Sequence, residues 1–187
     1  MEKELQAMTS KVFTGNKFPR LIPLTTPETE ALSEKDKKRC LKGRYSCTIK
    51  RDGRHKARIV AQDLKKFNKL PAAEVYAPTP GFTPLRLMLA ASPRKDYEIH
   101  TTDFDTAYLQ DFSEERSDWK TFYLWNEATK SGEWYHLTGP IYGQQPAGSK
   151  WRRKLKTEVE GEMDFTECKN APSMYYRKRD QTRMSIF

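Results

Sequence analysis

At 187 residues, with 36% hydrophobic, 32% charged and 12% aromatic residues, the chain is long enough for one domain with a core and too aromatic for a disordered tail. No apolar run approaches the roughly 20 residues that a membrane helix needs, and the start MEKELQAMTS has no apolar segment of the kind a secretory signal requires, so an intracellular protein, cytoplasmic or nuclear, is expected. The net charge of +9 is concentrated between Lys35 and Lys69, where 14 Lys and Arg face three acids, so the rest of the chain is slightly acidic.

In chain order, residues 1–24 show no sustained period, and Pro19 and Pro23 break any long helix. Thr26, Pro27 and Glu28 predict a helix start, with the helix running toward Lys42 and stopping at Gly43. Tyr45, Cys47 and Ile49 then alternate with polar residues, Arg51-Asp52-Gly53-Arg54 supplies a turn, and Ala57, Ile59 and Ala61 continue the alternation. A β-hairpin follows, with Lys50, Arg54, Lys56 and Arg58 on its other face. Such a basic ribbon is either a solvated face or a surface for a polyanion. Cys40, Cys47 and Cys168 are an odd number at unrelated spacings, which argues against a disulfide framework or a zinc site.

Thr83 and Pro84 predict a helix whose Leu85, Met88 and Leu89 form a core stripe. Tyr97, Ile99 and Thr101 alternate with Glu98, His100 and Thr102, predicting a strand that leads into Asp103 and Asp105. Carboxylates at the end of a strand can hold a metal, and they also arise from plain turn chemistry. A short helix over Thr106–Leu109, a polar loop over Phe112–Asp118, and extended segments at Trp119–Trp125 and Glu133–Leu137 come next. The turn-rich stretch 139–149 ends at Ser149, expected to cap a helix with Trp151, Leu155, Val159 and Met163 along one stripe. A strand at Ser173–Tyr176, a charged turn and an apolar run from Met184 complete the pattern.

Four blocks in this order resemble the reverse transcriptase of copia-type retrotransposons: KRDGRHKARIVAQ at 50–62, EVYAPTPGFTPLRLMLAAS at 74–92, YEIHTTDFDTAYLQ at 97–110 and GPIYGQQPAGSKWRRKL at 139–155. A fifth, DFTECKNAPSMYYR at 164–177, is a weaker match. The resemblance implies an α+β fold of fingers and partial palm, with a basic β-hairpin and a mixed or antiparallel sheet flanked by helices. It divides the chain into an N-terminal extension with a short helix at 1–43 and a reverse-transcriptase-like domain at 44–187. It also implies a template-primer of RNA or DNA and a deoxynucleoside triphosphate as partners, no membrane, and magnesium or manganese as cofactor.

Carried onto matching positions, the resemblance makes Asp103 the first catalytic aspartate and a metal ligand, with the Phe104 carbonyl beside the metal. Tyr108 falls beneath the incoming sugar, where a ring would exclude a 2′-hydroxyl. Lys56 and Arg58 are candidates for the triphosphate, since a cation offsets charge that develops in phosphoryl transfer. Tyr142 and Gln144 belong to the block on the nucleotide and template side. One part of the pattern is missing: no Asp-Asp pair occurs in the sequence, whereas the family completes its metal site with a Tyr-x-Asp-Asp turn. The expectation is therefore a domain truncated before its second catalytic motif, with little or no polymerase activity alone. A non-catalytic nucleic-acid-binding module is the alternative. A glycosyltransferase reading of Asp103-Phe104-Asp105 as an Asp-x-Asp metal motif has no nucleotide-sugar fold around it to support it.

Overall fold

The computed structural model describes residues 1–11, 17–64, 69–93, 97–110 and 115–186. Part of the expected loop at 112–118, part of the basic segment at 35–69, and residue 187 lie outside them. The chain divides into two units, residues 1–75 with 106–151 and residues 76–105 with 152–187.

The first unit is built on a five-stranded sheet in the order β1-β5-β4-β2-β3, with β1 at Leu21–Pro23, β2 at Leu41–Ile49, β3 at His55–Ala61, β4 at Lys120–Asn126 and β5 at Ser131–Leu137. β2 and β4 run parallel and every other pair antiparallel, so the sheet is mixed. Because side chains alternate across a strand, Phe122 and Leu124 of β4 and Tyr135 and Leu137 of β5 all point to one face. There they join Ile59 and Ala61 of β3, Leu21 of β1, Leu109 and Ile141 in the buried core. Met8 of helix α1 (Glu2–Ser10) completes this core, so residues 1–24, whose sequence has no sustained period, supply both a core helix and an edge strand.

Two short helices precede β2, and both start with a capping box. In α2 (Thr26–Glu30) the cap is Thr25, one residue earlier than expected: its hydroxyl accepts from the Glu28 N–H at 3.4 Å while the Glu28 carboxylate accepts from the Thr25 N–H at 2.8 Å. Ser33 and Asp36 repeat the motif for α3 (Glu34–Arg39). The helix does not reach Gly43, because Cys40 already has extended backbone and Gly43 lies within β2. The expected hairpin of β2 and β3 forms, with Ile49 opposite His55 and Gly53 in the turn at φ +79°. Helix α4 spans Ala72–Val75. The three cysteines are free.

In the second unit, α5 runs from Phe82 to Ala91 with Gly81, not Thr83, at its N-cap. The expectation of a core helix is corrected: none of its residues is fully buried, and Phe82, Leu87 and Leu89 are 74%, 66% and 40% exposed. Apolar residues surround this helix on every side and define no single stripe. Tyr97–Thr102 is likewise not a strand. No strand among the described residues pairs with it, and alternation without a ladder partner leaves backbone donors and acceptors to water. Instead Ile99 is 56% exposed, and Tyr97 is held by its hydroxyl, which donates to Gln181 at 3.2 Å, and by the Arg183 guanidinium over its ring.

Helix α6 (Ala147–Gly161) begins two residues before Ser149, which therefore does not cap it. The buried Ser149 hydroxyl donates to the carbonyls of Glu74 and Pro146. Leu155 and Val159 are buried as expected, whereas Met163 falls beyond the helix end and is exposed. A three-stranded antiparallel sheet, β6 (Thr166–Glu167), β7 (Met174–Tyr176) and β8 (Arg183–Ser185), follows.

Candidate active site

The sequence-predicted residues fall in both units: Lys56, Arg58, Tyr108, Tyr142 and Gln144 in the first, Asp103 and Phe104 in the second. In the first unit three of them meet. β3 is the edge strand, and its open edge is closed by the loop that follows β5: the Ala61 N–H donates to the Tyr142 carbonyl at 2.7 Å. This brings the Tyr142 ring beside the hairpin, where the Arg58 guanidinium lies over it at 5.1 Å from the centroid. Tyr108 also meets Tyr142 edge-on, with centroids 5.6 Å apart and planes at 63°. One tyrosine ring thus touches both the cation and the second ring. Lys56 stands two residues before Arg58 on the same face of β3.

The loop is held in place by its own amides. Gly143 takes φ +84°, and a Cβ there would collide with the Ala61 carbonyl oxygen, so only glycine allows the close approach of the loop to β3. The Gln144 side-chain carbonyl accepts from the Ile141 N–H at 3.1 Å, so this residue braces its own turn. Gln145 donates twice to Asp63, from its backbone at 3.1 Å and from its amide at 3.2 Å. Asp63 is a positioning residue that sequence reading missed, because its partner lies 82 positions away and no local spacing signals the pair.

Tyr108 sits in a 3-10 turn, Ala107–Gln110, whose Leu109 anchors in the core. The turn is entered through Thr106 at φ 53°, a left-handed conformation that is unusual for a β-branched residue. The Leu109 N–H donates to the Thr106 carbonyl at 2.7 Å and closes it. A strained entry of this kind is common where a side chain must be aimed.

Asp103, Phe104 and Asp105 lie in exposed, irregular backbone of the second unit. A divalent magnesium ion takes several hard oxygen ligands, yet among the described residues no group of three or more His, Cys, Asp or Glu could hold a metal ion. Among the described residues Asp103 therefore has no such set of donors around it. Burial pushes the Cys40 thiol up, against the opposing pull of Lys42.

The first unit thus has a mixed sheet with a basic hairpin, and Arg58, Tyr142 and Tyr108 gather at the edge of that hairpin. Residues 31–187 match the family described as reverse transcriptase (RNA-dependent DNA polymerase), and the chain belongs to that family. Among curated proteins it is similar to the retrovirus-related Pol polyprotein from transposon TNT 1-94 of Nicotiana tabacum, 23% identical over 154 residues. That match takes in 80% of this chain and 12% of the tobacco polyprotein. No solved structure matches. The family assignment places the Asp103-Phe104-Asp105 triplet outside a glycosyltransferase. No helix among the described residues is long and apolar enough to cross a membrane.

Proposed function

We propose that this chain is the fingers and part of the palm of a retrotransposon RNA-directed DNA polymerase, with residues 44–187 as the polymerase segment, and that it does not polymerise alone. The observation that carries the second half is the donor set: Asp103 is one carboxylate, and no Asp-Asp pair stands anywhere in the sequence to complete a metal site of the family's kind. In this reading Arg58 and Lys56 offset the charge of the incoming triphosphate. Tyr108 lies under its sugar, and the edge-on contact with Tyr142 fixes the ring against rotation. Gln144 keeps the loop in register through its bond to Ile141. Asp103 is the first aspartate of the parent enzyme's site, and the divalent ion that reverse transcriptases generally use would be held only with carboxylates from outside these residues.

Primer extension on an RNA template with magnesium tests the proposal. The 187-residue chain is expected to yield no extended product, and robust synthesis overturns the claim that it is inactive alone. In a longer polyprotein fragment that does extend primers, Asp103→Ala is expected to abolish synthesis, and an unchanged rate removes Asp103 from the site.

A second reading, a non-catalytic nucleic-acid-binding module, is favoured by the exposed cations of the hairpin, Arg44, Lys50, Arg51, Arg54 and Arg58. Both readings require affinity for a polyanion and both expect no synthesis by the chain alone, so the longer fragment separates them: loss of its synthesis in Asp103→Ala supports the polymerase reading.

A further inference from the structure

Arg20 lies ahead of residues 31–187, the part of the chain that matches the family, yet its side chain reaches the turn that carries Tyr108. It stands directly before β1, and its backbone is clamped to the residue that follows β5. The Thr138 N–H donates to the Arg20 carbonyl at 3.1 Å, and the Thr138 hydroxyl donates to the Pro19 carbonyl at 3.0 Å. Both residues are enclosed, with Arg20 0% and Thr138 1% exposed. Arginine is almost never buried this far unless it is paired, because desolvating a guanidinium is costly. One of its partners is the Leu109 carbonyl, to which the guanidinium donates.

That bond acts on the 3-10 turn Ala107–Gln110. The last carbonyls of a helical turn have no partner within it, and Arg20 supplies one for Leu109. The Leu109 side chain is itself in the core, and the Leu109 N–H closes the turn on the Thr106 carbonyl at 2.7 Å. Leu109 is thus held through its amide, its carbonyl and its side chain, and the adjoining Tyr108 projects from a fixed turn. Thr106 enters the turn at φ 53°, a left-handed backbone that persists only where the surroundings over-determine it. The connection therefore runs from β5 through Arg20 to Leu109, and from Tyr108 to the Tyr142 ring 5.6 Å away.

We infer that Arg20 is a positioning residue for Tyr108, so that a segment ahead of the family match sets how strictly the site excludes a 2′-hydroxyl. The inference rests on the proposed place of Tyr108 beneath the incoming sugar. Exclusion by a ring depends on where the ring lies, and a displacement of about 1 Å far from the chemistry is enough to cost on the order of a hundredfold. Arginine suits the task because its planar guanidinium holds its donors in a rigid fork. Lysine offers a point charge on a flexible stem and would leave the turn looser.

Nuclear magnetic resonance on the 187-residue chain tests the positioning without any activity. In wild type the Arg20 guanidinium protons are expected to exchange slowly with water, and the Tyr108 and Tyr142 rings to show mutual Overhauser contacts. Fast exchange of those protons overturns the inference with no variant needed. Arg20→Met, which keeps a long side chain and removes the donors, is expected to lose the ring contacts while those of Phe122 in the core persist; Arg20→Lys should restore them in part. Ring contacts retained in Arg20→Met overturn the inference. Selectivity is read in a longer fragment that extends primers, as the ratio of kcat/KM for a deoxynucleotide to that for the ribonucleotide. Arg20→Lys is expected to lower this ratio on the order of tenfold, whereas a merely structural loss would lower both values alike and leave the ratio unchanged. Tyr108→Ala keeps the two claims apart: an unchanged ratio there overturns the sugar reading of Tyr108, and a ratio lowered there but not in Arg20→Lys overturns the role of Arg20 alone.

Discussion

At Gly143 a single residue sets the geometry of the candidate site. Its φ of +84° and its contact with the Ala61 carbonyl leave no room for a side chain, so Gly143→Ala must move the loop, break the Ala61 to Tyr142 hydrogen bond, or both. The cost of a non-glycine residue in the left-handed region plus a lost buried bond is about 2–4 kcal/mol. A lowered midpoint in urea denaturation is the expected outcome, and a midpoint equal to wild type would mean that the loop does not need this approach. Tyr108 and Arg58 depend on the same position indirectly, because both touch the Tyr142 ring that the loop carries. No local sequence signal announced this dependence: glycine in a turn-rich stretch is legible, but the strand it presses against is not.

Among elements, the link between α6 and the β6–β7 hairpin rests on Glu167. Its carboxylate accepts from Arg152 at 2.5 Å, from Lys156 at 2.7 Å and from the Ser173 N–H at 2.8 Å. Burial pushes the Glu167 carboxyl up, but the Lys156 hydrogen bond, the Ser173 amide and the Arg152 charge outweigh it, and the net shift is downward. A carboxyl with a depressed value in the folded state contributes stability above its unfolded value, near 4.3, and that contribution is lost as pH falls through the lower folded value. Wild type is therefore expected to lose stability as pH drops below about 4.5, and Glu167→Gln to show a shallower acid slope and, at pH 7, about 1–3 kcal/mol less stability. Parallel acid profiles for the two proteins, followed by circular dichroism, would exclude Glu167 as this link. The elements whose period matched their fold were those with a clean partner: the hairpin of β2 and β3, and α6 as far as Val159. Tyr97–Thr102 had the alternation of a strand and no ladder to join, and α5 had apolar residues on all sides, so in both cases the local pattern did not decide burial.

For the molecule as a whole, charge is the property most directly tied to function. The +11 surplus at 35–69 places Lys42, Arg44, Lys56 and Arg58 on one side of β2 and β3, where Arg44 opposes Val60 and Ser46 opposes Arg58 in register. If four such cations each release a counterion from a single strand, the logarithm of the binding constant should fall with the logarithm of salt with a slope of about −3. Titration of an oligonucleotide from 50 to 300 mM salt measures it, and a flat response would remove the polyanion as partner in both functional readings.

The sequence by itself determined the family, through four ordered blocks, and it determined the hairpin, whose alternation and Asp-Gly turn are local properties. It also located the positive charge and exposed the lack of an Asp-Asp pair, since residue identity needs no fold to be read. What only the tertiary structure decided were relations between distant segments. These are Asp63 with Gln145, Gly143 against Ala61, Tyr108 and Arg58 on the same tyrosine, and Arg20 on the Leu109 carbonyl. The physical reason is that hydrogen-bond register and strand order carry no local signature. In β4 every position from Phe122 to Trp125 is large and apolar, so its period of two became visible only when the sheet buried Phe122 and Leu124 and placed Tyr123 and Trp125 on its other face.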